Sequence, residues 1–240
     1  MAERIYADRA EYYDVLYSGK EYGQETAFVV DAFGQHATTD TRTALVIGCG
    51  TGNHTPHLVD SGFDTTSVDP SEDMLRFARK KSDATFKQAE LPDLDAVDGT
   101  YGLVWLPFTV INHLDQAAVD ASLDRIDELL ADEGVLVFDN GDFNVEDDTA
   151  PPFVESAAGE TGDVGRVGQL HHEDGDRVTF ESLVFTQDGF FADTHTLYAH
   201  TADAIEDLLA DHGFAWRRHD EGYGTDSSKY QGTVYVCWRE

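Results

Sequence analysis

The stretch Leu45-Val46-Ile47-Gly48-Cys49-Gly50-Thr51-Gly52 constrains this chain more than any other feature of its 240 residues. An apolar, β-branched run from Thr43 to Ile47 ends in glycines at alternate positions, and a helical stretch follows from Asn53 to about Asp60. Strand, tight loop and helix in this order open a crossover unit. The glycines let the backbone turn sharply and leave no side chain to bar a ligand from the main chain and the helix N-terminus. The loop is therefore expected to bind a small molecule. The dinucleotide fingerprint G-x-G-x-x-G would place its last glycine at position 53, where this sequence has Asn53, so a pyrophosphate ligand is disfavoured.

The same alternation continues downstream. Phe63 to Val68 reads as a strand, Ser71 to Lys81 as a helix with Ser71 at its N-cap, and Ala84 to Lys87 as a strand. Tyr101 to Leu106 is a buried strand, Gln116 to Ala131 an amphipathic helix stopped near Gly134, and Val135 to Phe138 the next strand. Such alternation implies a parallel sheet. Between Pro151 and His200 the pattern changes to alternating strands punctuated by the turn signals Glu173-Asp174-Gly175-Asp176 and Gln187-Asp188-Gly189, which predicts an antiparallel sheet. Thr201 to His212 then reads as a helix ended by Gly213, and Phe214 to His219 and Thr233 to Trp238 as two final strands. Two helical stretches between Ala10 and Phe33, broken at Ser18-Gly19, precede the first strand. The expected architecture is one α/β domain over 1–240, with a doubly wound, mostly parallel, Rossmann-like sheet of seven strands. A helical cap occupies 1–40 and an inserted antiparallel sheet 151–200.

Asp69 ends the strand after the glycine loop, where a carboxylate can accept hydrogen bonds from both hydroxyls of a ribose. Loop and acid fall at the two strand ends that flank one cleft, which points to an adenosine derivative. Cys49 and Cys237 read as small core residues at strand ends, with no spacing for a disulfide or metal. His171 and His172 are adjacent on a strand, so they point to opposite faces, and no metal site is expected.

The formal charge is −31, from 47 acids against 16 lysines and arginines, and the acids are scattered along the chain. Only Lys20, Lys80, Lys81, Lys87 and Lys229 are lysines. This whole-surface acidity resembles a protein from a salt-loving organism, because self-repulsion fades as the Debye length falls to about 3 Å near 1 M salt. No basic stripe is available for nucleic acid. The longest apolar run, Leu103 to Phe108, is too short to cross a bilayer, and Met1-Ala2-Glu3-Arg4 lacks the layout of a signal peptide. A cytoplasmic protein with no membrane or nucleic-acid partner is expected.

Gly48-x-Gly50-x-Gly52 with Asp69 resembles the class I S-adenosylmethionine-dependent methyltransferases. Tyr12-Tyr13-Asp14, Lys20-Glu21-Tyr22 and Phe108-Thr109-Val110-Ile111-Asn112-His113-Leu114 extend the resemblance to the small-molecule branch. Within it the chain is most similar to N,N-dimethyltransferases of nucleotide-linked amino sugars. The resemblance implies S-adenosylmethionine as cofactor, bound by Gly48, Cys49, Gly50, Gly52, Asp69 and Tyr22. It gives Glu90 either a contact to the adenine amino group or the role of a surface acid. It places His113 and Tyr13 at the substrate. His113 is an imidazole, a group whose unperturbed pKa of about 6.5 suits a proton acceptor, or it caps the following helix and orients the loop, with Asn112 supporting that loop. Tyr13 and Tyr17 bind substrate or form one amphipathic face. Val46 departs from the pattern, since an acid usually stands there. No Pro-Cys pair is present for cytosine C5 methylation, and Leu106-Pro107-Phe108 lacks the element of adenine-base enzymes. The expected activity is methyl transfer to a small amine such as an amino sugar. The alternatives are O-methylation, a NAD-dependent oxidoreductase and a non-catalytic adenosine-ligand-binding domain. The inserted sheet would shape the pocket or form the contact of a homodimer.

Overall fold

A computed structural model describes residues 4–143, 149–159, 162–224 and 232–239. Met1 to Glu3, part of the N-terminal reading, and Lys229 lie outside the described residues. In chain order the elements are α1 (Tyr13–Leu16), α2 (Tyr22–His36), β1 (Thr43–Ile47), α3 (Thr55–Asp60), β2 (Asp64–Asp69), α4 (Glu72–Ala78) and β3 (Thr85–Gln88). Next come β4 (Tyr101–Leu106), α5 (Gln116–Leu129), β5 (Leu130–Asn140), β6 (Phe153–Ala157), β7 (Val164–His172), β8 (Arg177–Thr186) and β9 (Gly189–Tyr198). The last are α6 (Ala202–Asp211), β10 (Ala215–His219) and β11 (Thr233–Trp238). A 3₁₀ turn spans Val110–His113. None of the described helices is long and apolar enough to cross a membrane.

The chain divides into two compact units, one of residues 21–141 and 200–240, the other of 1–20 and 142–199. The segment 1–40, expected as one cap, is therefore shared between them at Lys20 and Glu21. The larger unit holds a seven-stranded sheet in the order β10-β11-β5-β4-β1-β2-β3, parallel except for β11, which runs antiparallel to both neighbours. Alternate residues of each strand serve opposite faces. Leu45 and Ile47 pack with Leu123 and Ile126 of α5 and Leu209 of α6. Ala44 and Val46 pack with Val29 and Phe33 of α2, Leu58 of α3 and Leu75 of α4. With helices on both faces the sheet is doubly wound. Ser71 caps α4 as the sequence predicts, its hydroxyl accepting the Met74 amide at 3.2 Å.

The boundary before β5 differs most from expectation, and α4 also stops at Ala78, short of the expected Lys81. The chain does not stop a helix at Gly134: α5 ends at Leu129, and Leu130 is already extended and opens β5. Gly134 instead marks an irregularity where pairing jumps from Tyr101↔Leu130 to Leu103↔Val135. A Cβ there would lie 2.9 Å from the Gly102 carbonyl oxygen, so close backbone approach explains the glycine.

In the smaller unit β6 to β9 form an antiparallel sheet, turning between β7 and β8 and between β8 and β9 where the sequence signals turns. One face buries a charge. Arg166, 5% exposed, donates through Nε to Glu155 at 2.6 Å and through Nη1 to the Tyr17 hydroxyl at 3.1 Å. Its guanidinium lies 5.3–5.8 Å from the ring centres of Tyr17, Phe180 and Phe153. On the same face Asp193 accepts the Ile5 amide at 3.1 Å and pairs with His195 at 2.6 Å. The opposite face carries a row in register, Val154, Val167, Leu183 and Ala192, beside Phe185 and Phe190.

Candidate functional site

In open α/β sheets ligands bind beyond the carboxyl ends of the strands where the strand order reverses. Here that point lies between β1 and β4, whose following segments are the glycine loop and residues 107–114. Gly48, Gly50 and Gly52 have φ of +69°, +56° and +77°, a region that side-chain-bearing residues seldom enter. Two also allow close packing. A Cβ on Gly48 would lie 2.4 Å from Val110 Cγ2, and one on Gly52 2.7 Å from Ala78 Cβ. The loop is thus pressed between the 110–113 turn and α4.

Asp69 ties the loop to β2. Its Oδ2 accepts the Gly50 amide at 2.8 Å and its Oδ1 the Ser71 amide at 2.9 Å. Burial raises the carboxyl to about 6, and the two amides oppose the rise without cancelling it. Each oxygen uses one lone pair on the backbone and keeps another for a hydroxyl donor. Cys49 donates its amide to the Val68 carbonyl at 2.9 Å. Its thiol is pushed well above the ordinary value by burial first and Asp69 second, so it stays protonated. Asn53 is latched as well, accepting from Lys81 Nζ at 2.6 Å and donating to Thr51 Oγ1 at 3.3 Å.

The remaining expected residues divide. His113 is half-buried at the end of the turn that sets Val110 on Gly48, which brings its segment to the loop. Tyr22 opens α2, its ring edge-on to His54 at 4.9 Å. Glu90 has an exposed side chain two residues past β3, next to Ala89, whose amide donates to the Asp69 carbonyl at 3.3 Å. Tyr13 belongs to the smaller unit, where it is buried with its ring 4.7 Å from Tyr17 and 6.0 Å from Tyr6. Val46 is wholly buried in the core, so that position offers no carboxylate to a ligand.

Sequence reasoning missed a polar network at the strand ends. His54, two residues after Gly52, bonds Glu25 of α2 at 2.8 Å, both nearly fully buried. Trp105 Nε1 donates to the Tyr223 hydroxyl at 3.0 Å, which donates to Asp139 at 3.1 Å. Asn112 donates to Asn140 at 2.8 Å and accepts the Gly141 amide at 2.8 Å, so it does support the loop. His200 reaches the Leu114 carbonyl at 3.0 Å. The available signal was Asp139-Asn140-Gly141, polar residues closing an apolar strand.

The family described as methyltransferase domain matches residues 44–134, from β1 through the loop, Asp69 and the 110–113 turn into β5. Around it, the chain is 31% identical over 140 residues to a putative methyltransferase from a Geobacillus species, covering 56% of each chain. It is 33% identical to dTDP-3-amino-3,6-dideoxy-alpha-D-glucopyranose N,N-dimethyltransferase of Streptomyces fradiae, over 53% of this chain and 51% of that one. The chain thus spans about half the length of these relatives. Among solved structures it superimposes on the sugar N-methyltransferase KedS8 from a Streptoalloteichus species with a TM-score of 0.76 and 25% identity. That match covers 95% of this chain and 92% of the other. The seven-stranded, mostly parallel sheet is the fold of class I methyltransferases, and the match to this neighbour extends over the antiparallel sheet as well.

Proposed function

We propose that the chain is an S-adenosylmethionine-dependent methyltransferase acting on a small polar amine such as an amino sugar. The observation that carries this reading is Asp69, a buried carboxylate that accepts the Gly50 amide from the glycine loop while keeping acceptor capacity toward the crevice. Such a group fits the ribose of an adenosine cofactor. Asn53, held by Lys81 and Thr51 where a dinucleotide loop needs glycine, argues against NAD. Val46 leaves the cofactor's amino group to be met by other atoms of the loop.

Bound S-adenosylmethionine supplies a methyl group already activated on sulfur. The protein's task is then alignment and exclusion of water. The loop backbone of Gly48, Cys49, Gly50 and Gly52 sets the methionine end, Asp69 the ribose, and Glu90 and Tyr22 flank the crevice. His113 accepts the proton that the attacking amine sheds. The relatives named for amino-sugar N-methylation support the amine class. Labelled cofactor offered with amino sugars, free amines and hydroxylated small molecules tests it. Methylation of amines is expected, with His113→Ala losing about 10²–10⁴-fold; transfer confined to oxygen acceptors would show the amine assignment to be wrong.

We also propose a cytoplasmic, salt-adapted homodimer. The charge of −31 supports the salt adaptation, and the exposed apolar side chains of Val154, Val167, Phe185 and Phe190 on one face of β6 to β9 support self-association once salt screens repulsion. Melting temperature and light scattering across a series from dilute to molar potassium chloride read both. Stability and dimer fraction should rise together, and a flat series refutes the proposal.

A further inference from the structure

Just past β4 the backbone takes a conformation that side-chain-bearing residues avoid: Phe108 and Thr109 have φ of +61° and +60°. Successive left-handed residues of this kind persist only where their surroundings over-determine them. The Thr109 carbonyl accepts the Asn112 amide at 3.0 Å, and the Thr109 amide donates to Asp139 Oδ2 at 3.0 Å. Asp139 is 1% exposed, one residue before the end of β5, and its Oδ1 accepts the Tyr223 hydroxyl. That hydroxyl is held well above its ordinary pKa, by burial first and Asp139 second, so it remains a donor. Trp105 Nε1, donating to the same hydroxyl, fixes Tyr223 from β4.

We infer that Asp139 is a positioning residue: by accepting the Thr109 amide and the Tyr223 hydroxyl it holds the left-handed turn that seats Val110 on Gly48 and presents His113. A carboxylate suits this place because it is acceptor-only and meets two donors from different segments. An apolar residue would leave the part-buried Thr109 amide without its acceptor and free the turn to relax toward an ordinary conformation. The loop would then lose the surface against which Gly48 packs. The catalytic consequence rests on the methyl-transfer reading; the geometric one does not.

The test compares wild type with Asp139→Ala, Asp139→Asn and Tyr223→Phe. Amide hydrogen exchange at Thr109 and Asn112 should quicken at least about tenfold in Asp139→Ala, with β1 and α5 amides unchanged. In turnover, kcat should fall at least about tenfold while KM for S-adenosylmethionine stays within about threefold, since misplacement by about 1 Å can cost 10²-fold. Asp139→Asn still offers an oxygen to Thr109 and should recover most of the loss. Tyr223→Phe removes one of the donors that hold Asp139 and should quicken Thr109 exchange by a smaller factor. Should Asp139→Ala fail to fold, Tyr223→Phe carries the same reading at its smaller size. Unchanged Thr109 exchange in folded Asp139→Ala, or in Tyr223→Phe where Asp139→Ala does not fold, overturns the inference, as does a loss of kcat that vanishes when rates are normalised to folded protein. Should wild type transfer no methyl group, the methyl-transfer reading fails, while Thr109 exchange still decides whether Asp139 holds the turn.

Discussion

The two units bury different things. In the parallel unit both faces of the sheet are mainly hydrocarbon, with small hydroxyls such as Ser67 and Thr55 among it, and the polar networks gather at the strand ends, around Asp69, His54 and Asp139. In the antiparallel unit the covered face is centred on Arg166, wrapped by Glu155 and the rings of Tyr17, Phe153 and Phe180. Hydrocarbon tolerates imperfect substitution, whereas a buried charge depends on every partner, because an unpaired ion in a low dielectric costs far more than a lost methyl group. The lesson is that the unit with the recognisable motif is the more forgiving in its core and the more demanding at its edge.

The sharpest way to break this comparison is Arg166→Ala. Leaving Glu155 without its cation should cost about 3–5 kcal/mol of folding stability, read from denaturant unfolding. Replacing both partners at once, as Arg166→Met with Glu155→Leu, should restore most of that loss. If the single and double variants are equally unstable, the charge pair is not what the antiparallel face depends on.

A smaller effect is expected at the edge of the parallel unit. Gly48→Ala combines a φ of +69° with a Cβ at 2.4 Å from Val110, so it should cost about 1–3 kcal/mol, with cofactor binding falling alongside. Changes of the same size at Gly34, which has open space around it, should leave binding intact. Equal effects at both positions would remove the special status of the loop.

The parallel unit was legible because short β-branched or apolar runs alternate with helical stretches, and because the glycines that follow β1 point to a sharp backbone turn. Asp69 was legible for the same reason, at a predictable strand end. The Trp105–Tyr223–Asp139 chain was not, because its members lie 118 and 84 residues apart and nothing local marks them as partners. Arg166 and Tyr17 are 149 residues apart, so the charged centre of the antiparallel face was equally hidden. Gly134 misled because a glycine after a helical run reads as a stop, while its actual cause, the Gly102 carbonyl, lies across a strand pair. Tyr13 and Tyr22 look alike in sequence, yet they fall in different units.

The pH dependence of Asp69 links its burial to ligand binding. Its folded value of about 6 lies above the ordinary 3.8, so the proton is held more tightly in the folded protein. The stability it contributes is therefore full below about pH 4 and lost as pH rises through about 6. Hydroxyl donors favour the ionised carboxylate, so ligand affinity must run the other way and strengthen as pH rises through that value.

The most direct test of the account is a calorimetric titration with S-adenosylhomocysteine in molar potassium chloride, for wild type and Asp69→Ala, at pH 8 and pH 5. Binding of one ligand per chain is expected at pH 8, weaker at pH 5. Asp69→Ala should weaken it at least about tenfold, since each hydrogen bond to a charged group is worth roughly 1.5–3 kcal/mol. Tight binding of NAD with none of S-adenosylhomocysteine, or a dissociation constant indifferent to Asp69, would contradict the account.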